Sequence, residues 1–281
     1  RVTQVVQHAT PVTVRQSAML SVTAETPVAG LQLDVPPESL AREGKRIGGV
    51  QVQLQPSLSD GLVNVQRWFN NYRYTCLEQV SSIAVGLGST EKWNAIMEQL
   101  PAYLDEDGLA MYFPSPTLNG DVVLTAYLVS MADEARKLGI INDIPDTYLQ
   151  KMLDGLNNYA LGKLRRNAWS PVNDNVERRL LVLEALSRHG RVTPSLLGSV
   201  RLDSQNWSTA ALIDWMNILR RVKGLPNQDQ ALSRLREAII ARMDRQGTAM
   251  VFADTTRNSS WWLMLNHEAN MARLLLAVIN D

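Results

Sequence analysis

A cysteine at position 76 and a glutamine at 79, with Leu77 and Glu78 between them, are the residues of this chain whose types and spacing could do covalent chemistry. Positions i and i+3 of a helix share a face within side-chain reach. A thiolate at Cys76 placed there could attack the side-chain amide carbon of Gln79 and expel ammonia, leaving an internal thioester. Such a bond is an activated acyl group awaiting a nucleophile. Cys76 is the only cysteine among 281 residues, so no internal disulfide competes for its sulfur. A lone thiol in an exported protein is an odd leftover, and acylation by Gln79 would remove the oddity. The plainer alternative is a buried cysteine behaving as a small hydrophobe, as free cysteines commonly do. Leu77 and Glu78 carry no evident chemistry, although a carboxylate in the first turn is favoured by the helix dipole.

A thioester needs a helix to close it and a dry wall to protect it. After Pro56 the apolar pattern is helical and stays so to the end of the chain. A helix over about Val63 to Tyr72 brings Trp68, Phe69 and Tyr72 to the motif, and a second starts near Cys76 and runs through Val80, Ile83, Ala84 and Leu87. Trp93, Ile96, Met97 and Leu100 form the next stripe, stopped by Pro101. Asp121 is placed to cap a helix closing at Gly139, and Pro145 with Asp146 opens the one after it. Further helices follow from Val176 to Gly190, from Thr193, from Ser208 to Gly224, from Asn227 to before Gly247, and from His267. That makes nine to eleven helices joined by Gly, Asn, Asp and Pro turns. Tyr72, Tyr74, Met111, Tyr112 and Phe113 are the candidates to shield the acyl group, and each reads equally well as ordinary core.

Residues 1–57 read as β structure. Val12 and Val14, then Leu31, Leu33 and Val35, alternate with their neighbours, and Val50, Val52 and Leu54 alternate strictly with Gln51, Gln53 and Gln55. Pro36, Pro37, Gly48 and Gly49 break these runs. The strands are too few for an independent sandwich. The chain opens at Arg1 without a methionine, which reads as a piece of a longer polypeptide.

Composition bounds the partners. Apolar residues make up 45% and charged residues 20%, and Lys+Arg equals Asp+Glu at 28 each. The balance is that of an ordinary soluble globular protein, and zero net charge exerts no general pull toward nucleic acid or an anionic membrane. No apolar run approaches a membrane span, and no stretch reads as a signal peptide.

The motif Cys76-Leu77-Glu78-Gln79, following Tyr72, Arg73, Tyr74 and Thr75, resembles the thioester motif of the alpha-2-macroglobulin and complement family, and in its Cys-Leu-Glu-Gln form the bacterial members. The approach through Val50 to Leu58, Asp60 to Leu62, Trp68, Phe69 and Tyr72 is also similar. The resemblance implies a thioester domain at 58–281 folded as an α/α toroid of helix pairs, inserted into a CUB-like β domain of which 1–57 is the first part. Leu124 to Leu128, Leu180 to Leu186, Thr209 to Ile213 and Ala272 to Ala277 have the small-and-leucine-rich texture of its inner helices. It implies a broad-spectrum protease inhibitor of the bacterial periplasm, tethered to the inner membrane through a region outside this chain. An attacking protease is captured when one of its lysine amines takes the acyl group of Gln79. That is a single-turnover acyl transfer, with no cofactor, metal or nucleic acid, and target proteases and the other domains of the same protein are the implied partners. Two departures stand out. Thr75 replaces the usual glycine before the cysteine, and glycine permits backbone angles that threonine resists. The stretch Ser170 to Asp174, which aligns with the histidine-bearing stretch of some complement proteins, contains no histidine. Direct attack by amines is therefore implied.

Other chemistries are poorly served. His8, His189 and His267 show no ligand spacing and there is no second cysteine; His189, beside Gly190, reads as a cation at a helix end. Asp105, Glu106, Asp107 and Gly108 match only part of a calcium loop and read as a solvated turn. Gly86 to Ser89 is too short, and lacks the lysine, for a phosphate loop. An enzymatic alternative stays open, because α/α toroids also house terpenoid cyclases and glycosidases. Asp105 and Asp107 would be its acids, and Gln205-Asn206-Trp207 faintly matches a cyclase repeat. A non-reactive helical binding scaffold is the other alternative.

Overall fold

The computed structural model describes residues 22–25, 41–42, 45–46, 49, 52, 54, 63–166, 169–198, 207–246, 249–253 and 260–279. The chain divides into two compact units, one made of Arg1–Leu58 with Asp244–Val251 and the other of Ser59–Met243 with Phe252–Asp281. In the first unit, strands β1 (Ala41–Arg42) and β2 (Lys45–Arg46) pair antiparallel. Val12, Val14, Leu31, Leu33, Val35, Val50 and their glutamine neighbours lie outside the described residues. Of the alternating strand, only Val52 and Leu54 are described, both exposed and outside any strand.

The second unit is helical. Helices α1 (Val63–Asn71), α2 (Leu77–Gly86), α3 (Thr90–Tyr103), α4 (Val122–Lys137) and α5 (Asp146–Ala160) are followed by α6 (Asn175–Arg188), α7 (Pro194–Gly198), α8 (Thr209–Arg221), α9 (Gln228–Ile240) and α10 (His267–Ile279). The start signals act as the side chains dictate. Asp121 accepts from the Val123 and Leu124 amides, Ser89 from Lys92 and Ser208 from Ala211, each satisfying donors a helix cannot pair internally. Alternate helices pack side by side, α4 on α6, α6 on α8 and α8 on α10, while α5 covers α4 and α6, and α9 covers α8.

Two helices are central. From Val182 to Ser187 every residue of α6 is buried, as is every residue of α8 from Thr209 to Asp214. A helix buried nearly all round belongs to a core, so its charges must be paired. Glu184 accepts from Arg188 at 2.7 Å and Arg221 at 2.8 Å, Arg188 reaches back to Asp133 at 3.1 Å and to Glu134, and Asp214 pairs with Arg273. The two guanidinium partners hold the Glu184 carboxyl well below the usual range against its burial. Burial wins at Asp214, pushing it up to about 6 despite Arg273, with the Glu184 charge adding to the rise.

Three further sequence expectations need correction. The helical pattern from Asn227 does not continue to Met243: α9 ends at Ile240, and Met243–Gln246 (β3) pairs with Ala249–Phe252 (β4). The apolar residues Met243, Met250 and Phe252 fit either period, and pairing with a second strand decides. Pro101 does not stop α3 but sits inside its final turn, where the amide it lacks removes only one terminal bond. His189 is the C-cap of α6, where burial, helped by the nearby charges of Arg188, Lys137 and Arg136, lowers its pKa against the pull of Asp133 and so disfavours the cation expected at this helix end.

Candidate functional site

Helix α2 begins one residue after the cysteine. Cys76 is its N-cap, with φ −67° and ψ 157°, and Gln79 is the third helical residue. The first amides of a helix have no partners within it, and here three unlike groups satisfy them. The Cys76 sulfur lies over the Gln79 and Glu78 amides. The Gln79 side-chain oxygen accepts from the Cys76 amide at 3.4 Å. The Leu77 amide donates to the Tyr112 carbonyl at 2.9 Å. The arrangement is a capping box with sulfur in place of a hydroxyl. It holds the thiol and the glutamine side chain in one turn, each folded back on the other's residue, and Thr75 precedes it without a positive φ.

Cys76 and Leu77 are buried. Burial pushes the thiol above its ordinary value, the Gln79 amide opposes this, and the Glu78 carboxylate adds to the rise. That carboxylate is 4.0 Å from the sulfur through Oε2, while Oε1 accepts from Ser82 at 3.1 Å. Ser82 also donates to the Glu78 main-chain carbonyl at 2.7 Å and lies 2.7 Å from the Tyr127 hydroxyl of α4. Ser82 has no place in the sequence reading, and Tyr127 enters it only within the leucine-rich helical stretch Leu124 to Leu128. The i, i+4 spacing of Glu78 and Ser82 was a signal for the first; nothing local marks the second.

The segment 109–113 forms the wall opposite. It is pinned at Ala110 and Met111, Met111 donating to the Tyr103 carbonyl at 2.7 Å, Ala110 to the Thr125 hydroxyl at 2.8 Å, and Asp121 to the Ala110 carbonyl at 2.8 Å. Met111 is buried and Tyr112 half-buried. Burial, with Asp121, Glu78 and Cys76 near enough for their charges to act, holds the Tyr112 phenol well above its ordinary range. Tyr72 is half-buried between Trp68, tilted against it at 4.7 Å, and Tyr74, edge-on to it at 5.4 Å. Tyr74 is 66% exposed and Phe113 52%.

Asp105 and Asp107 belong to a tied turn. Asp105 Oδ1 accepts from the Asp107 and Leu109 amides at 3.0 and 2.8 Å, and its Oδ2 from Gly120 at 2.7 Å and Arg166 at 2.8 Å. Arg166 also reaches Asp107 at 2.6 Å. The turn lines a shallow cleft of about 420 Å³ with Tyr148, Lys151 and Asp154. With both its oxygens committed twice, Asp105 serves as a clamp on the loop that leads to Met111 and Tyr112. In the stretch Ser170 to Asp174, Asp174 is buried, pairs with Arg178 at 2.9 Å and accepts from the Trp262 indole at 2.8 Å. Arg178 in turn acts on the Tyr112 phenol. Trp207 is buried against Trp215, and Gln205 and Asn206 lie outside the described residues. Among the described residues no cluster of His, Cys, Asp or Glu is placed to hold a metal ion, and no helix is long and apolar enough to cross a membrane.

Comparison with models of protein families, with curated proteins and with solved structures finds no match to this chain.

Proposed function

We propose that this chain carries an internal thioester between Cys76 and Gln79 and belongs to a protease inhibitor of the alpha-2-macroglobulin kind. The observation that carries the reading is the paired placement at the start of α2: the sulfur against the Gln79 amide, and the Gln79 side chain against the Cys76 amide, in one partly buried turn. Proximity of this kind converts an intermolecular acyl transfer into an intramolecular one. The Cys76 N–H that meets the Gln79 oxygen is also the donor that the oxygen would need as it gains charge. The side-by-side packing of α4, α6, α8 and α10, with α5 and α9 outside them, supports an α/α toroid. The CUB-like neighbour, the periplasmic setting, the inner-membrane tether and the capture of proteases through their lysines rest on the resemblance of the motif.

A second reading has a specific observation behind it. A cysteine at an N-cap with glutamine at the third helical position is a sufficient structural reason for both residues, and a scaffold without reactivity would look the same. Intact mass before and after methylamine separates the two. A protein one ammonia lighter than its sequence, with a thiol that appears only after amine, supports the thioester. A free thiol with an intact Gln79 amide in well-folded protein sinks it.

A further inference from the structure

We infer that Glu78 is the proton carrier of the acyl-transfer step, positioned by Ser82 and, through it, by Tyr127. The inference rests on the thioester reading above. Three contacts support it: Glu78 Oε2 at 4.0 Å from the Cys76 sulfur, Oε1 at 3.1 Å from the Ser82 hydroxyl, and that hydroxyl at 2.7 Å from Tyr127 Oη. The carboxylate is thus turned so that one oxygen is anchored and the other faces the reacting atom. Each hydroxyl has one proton to give. The Ser82 proton is shared between the Glu78 carboxylate and the Glu78 main-chain carbonyl, 2.7 Å away, and when Ser82 donates to either, Tyr127 must donate to Ser82, which makes α4 the anchor of the arrangement.

Formation of the thioester needs no reagent beyond these residues, and its opening needs only the attacking amine. In formation, the Cys76 thiol gives its proton to Glu78 and the sulfur attacks the side-chain carbonyl carbon of Gln79. The carbon–nitrogen bond then breaks, and Glu78 returns the proton to the nitrogen, which leaves as ammonia. In capture the order reverses. A primary amine attacks the same carbon and loses a proton to Glu78, the carbon–sulfur bond breaks, and Glu78 protonates the departing sulfur. Sulfur and nitrogen share one carbon in the tetrahedral adduct, so a base in contact with the first is within reach of the second. General acid–base transfer of this kind contributes roughly 10²–10⁴-fold.

The groups facing Glu78 are Cys76 on its own turn, Tyr127 on α4 and Tyr112 on the opposing wall, and only the first two lie on the path. The test uses the complete protein and its variants E78Q, E78D, S82A and Y127F. Intact mass reports thioester formation, thiol release by methylamine across a range of pH reports transfer, and thermal unfolding reports the fold. We expect E78Q to keep its melting temperature while forming the thioester, or releasing the thiol, at least ~100-fold more slowly. E78D should recover part of the rate, and S82A and Y127F should lose several-fold. The fall in rate per free amine at acid pH should vanish in E78Q, which a merely structural role would not produce. A folded E78Q that forms and opens its thioester at close to the wild-type rate, with an unchanged pH profile, overturns the assignment to Glu78. Unchanged rates in both S82A and Y127F overturn the positioning role. A wild-type protein without a thioester overturns the proposed function instead, and this inference with it.

Discussion

The Leu77 amide donates to the Tyr112 carbonyl at 2.9 Å, and through that bond the loop 109–113 closes the start of α2. The donor is one that the helix cannot satisfy itself. The acceptor comes from a segment itself tied to α3 and α4. The geometry of the Cys76–Gln79 turn therefore depends on residues more than thirty positions downstream, and the loop is as much a part of the site as the motif.

Serine and alanine at position 76 should separate the cap from the chemistry. Serine is a strong N-cap and alanine is not, a difference of typically ~1 kcal/mol. Cys76→Ser should unfold at about the wild-type temperature and Cys76→Ala slightly below it. Neither should capture an amine or a protease, as read by intact mass. Wholesale unfolding of both would point to a packing role for the sulfur.

Gly120 permits a close backbone approach. A Cβ there would lie 2.3 Å from the Leu109 carbonyl oxygen, and the Gly120 amide and carbonyl are held by Asp105 and Arg166. Gly120→Ala must push the wall segment away, at a cost of about 1–3 kcal/mol by analogy with overpacked cores. Denaturant unfolding would measure the loss. The thiol of Cys76 should also become more accessible to alkylation than in the wild type after its release.

Glu184 ties α6 to α8 through Arg221 and holds Arg188, which in turn reaches Asp133 and Glu134 of α4. Removing one partner leaves an uncompensated buried charge, which typically costs 3–5 kcal/mol. Glu184→Ala strands Arg221 and deprives Arg188 of its closest α6 carboxylate. The urea midpoint should fall accordingly. A change within error would mean that Asp133 and Glu134 suffice for Arg188.

The acid limb of stability should contain Asp174. Its burial alone would raise its pKa, but bonds from Arg178, Trp262 and Ser170 outweigh that and hold it below the ordinary 3.8. A carboxyl whose folded pKa is depressed stabilises the fold fully above its unfolded value, and this stability is lost as pH falls through the folded value. The melting temperature should therefore drop below about pH 4, and Asp174→Asn should start lower and show a shallower acid slope. Equal slopes in the two proteins would remove Asp174 from the acid transition.

Much of the helical framework was written locally. Asp121, Ser89, Ser208 and Gly139 act within a turn of themselves, so their chemistry is readable wherever they stand. Cys76 and Gln79 were likewise legible as a pair, because three residues along a helix is a fixed geometry. Tertiary contact decided the rest. A four-residue run such as Met243–Gln246 takes its form from the strand it meets. Whether His189 is charged depends on burial and on cations beside it. Asp105 read as part of a solvated turn, and only the fold brings Arg166, sixty-one residues away, onto it. The contacts of Glu78 were not legible in the motif, because Ser82 meets Tyr127 only through the packing of α4 against α2. Short-range order follows from backbone and side-chain chemistry; the environment of a charge is set by which distant surfaces the core draws together.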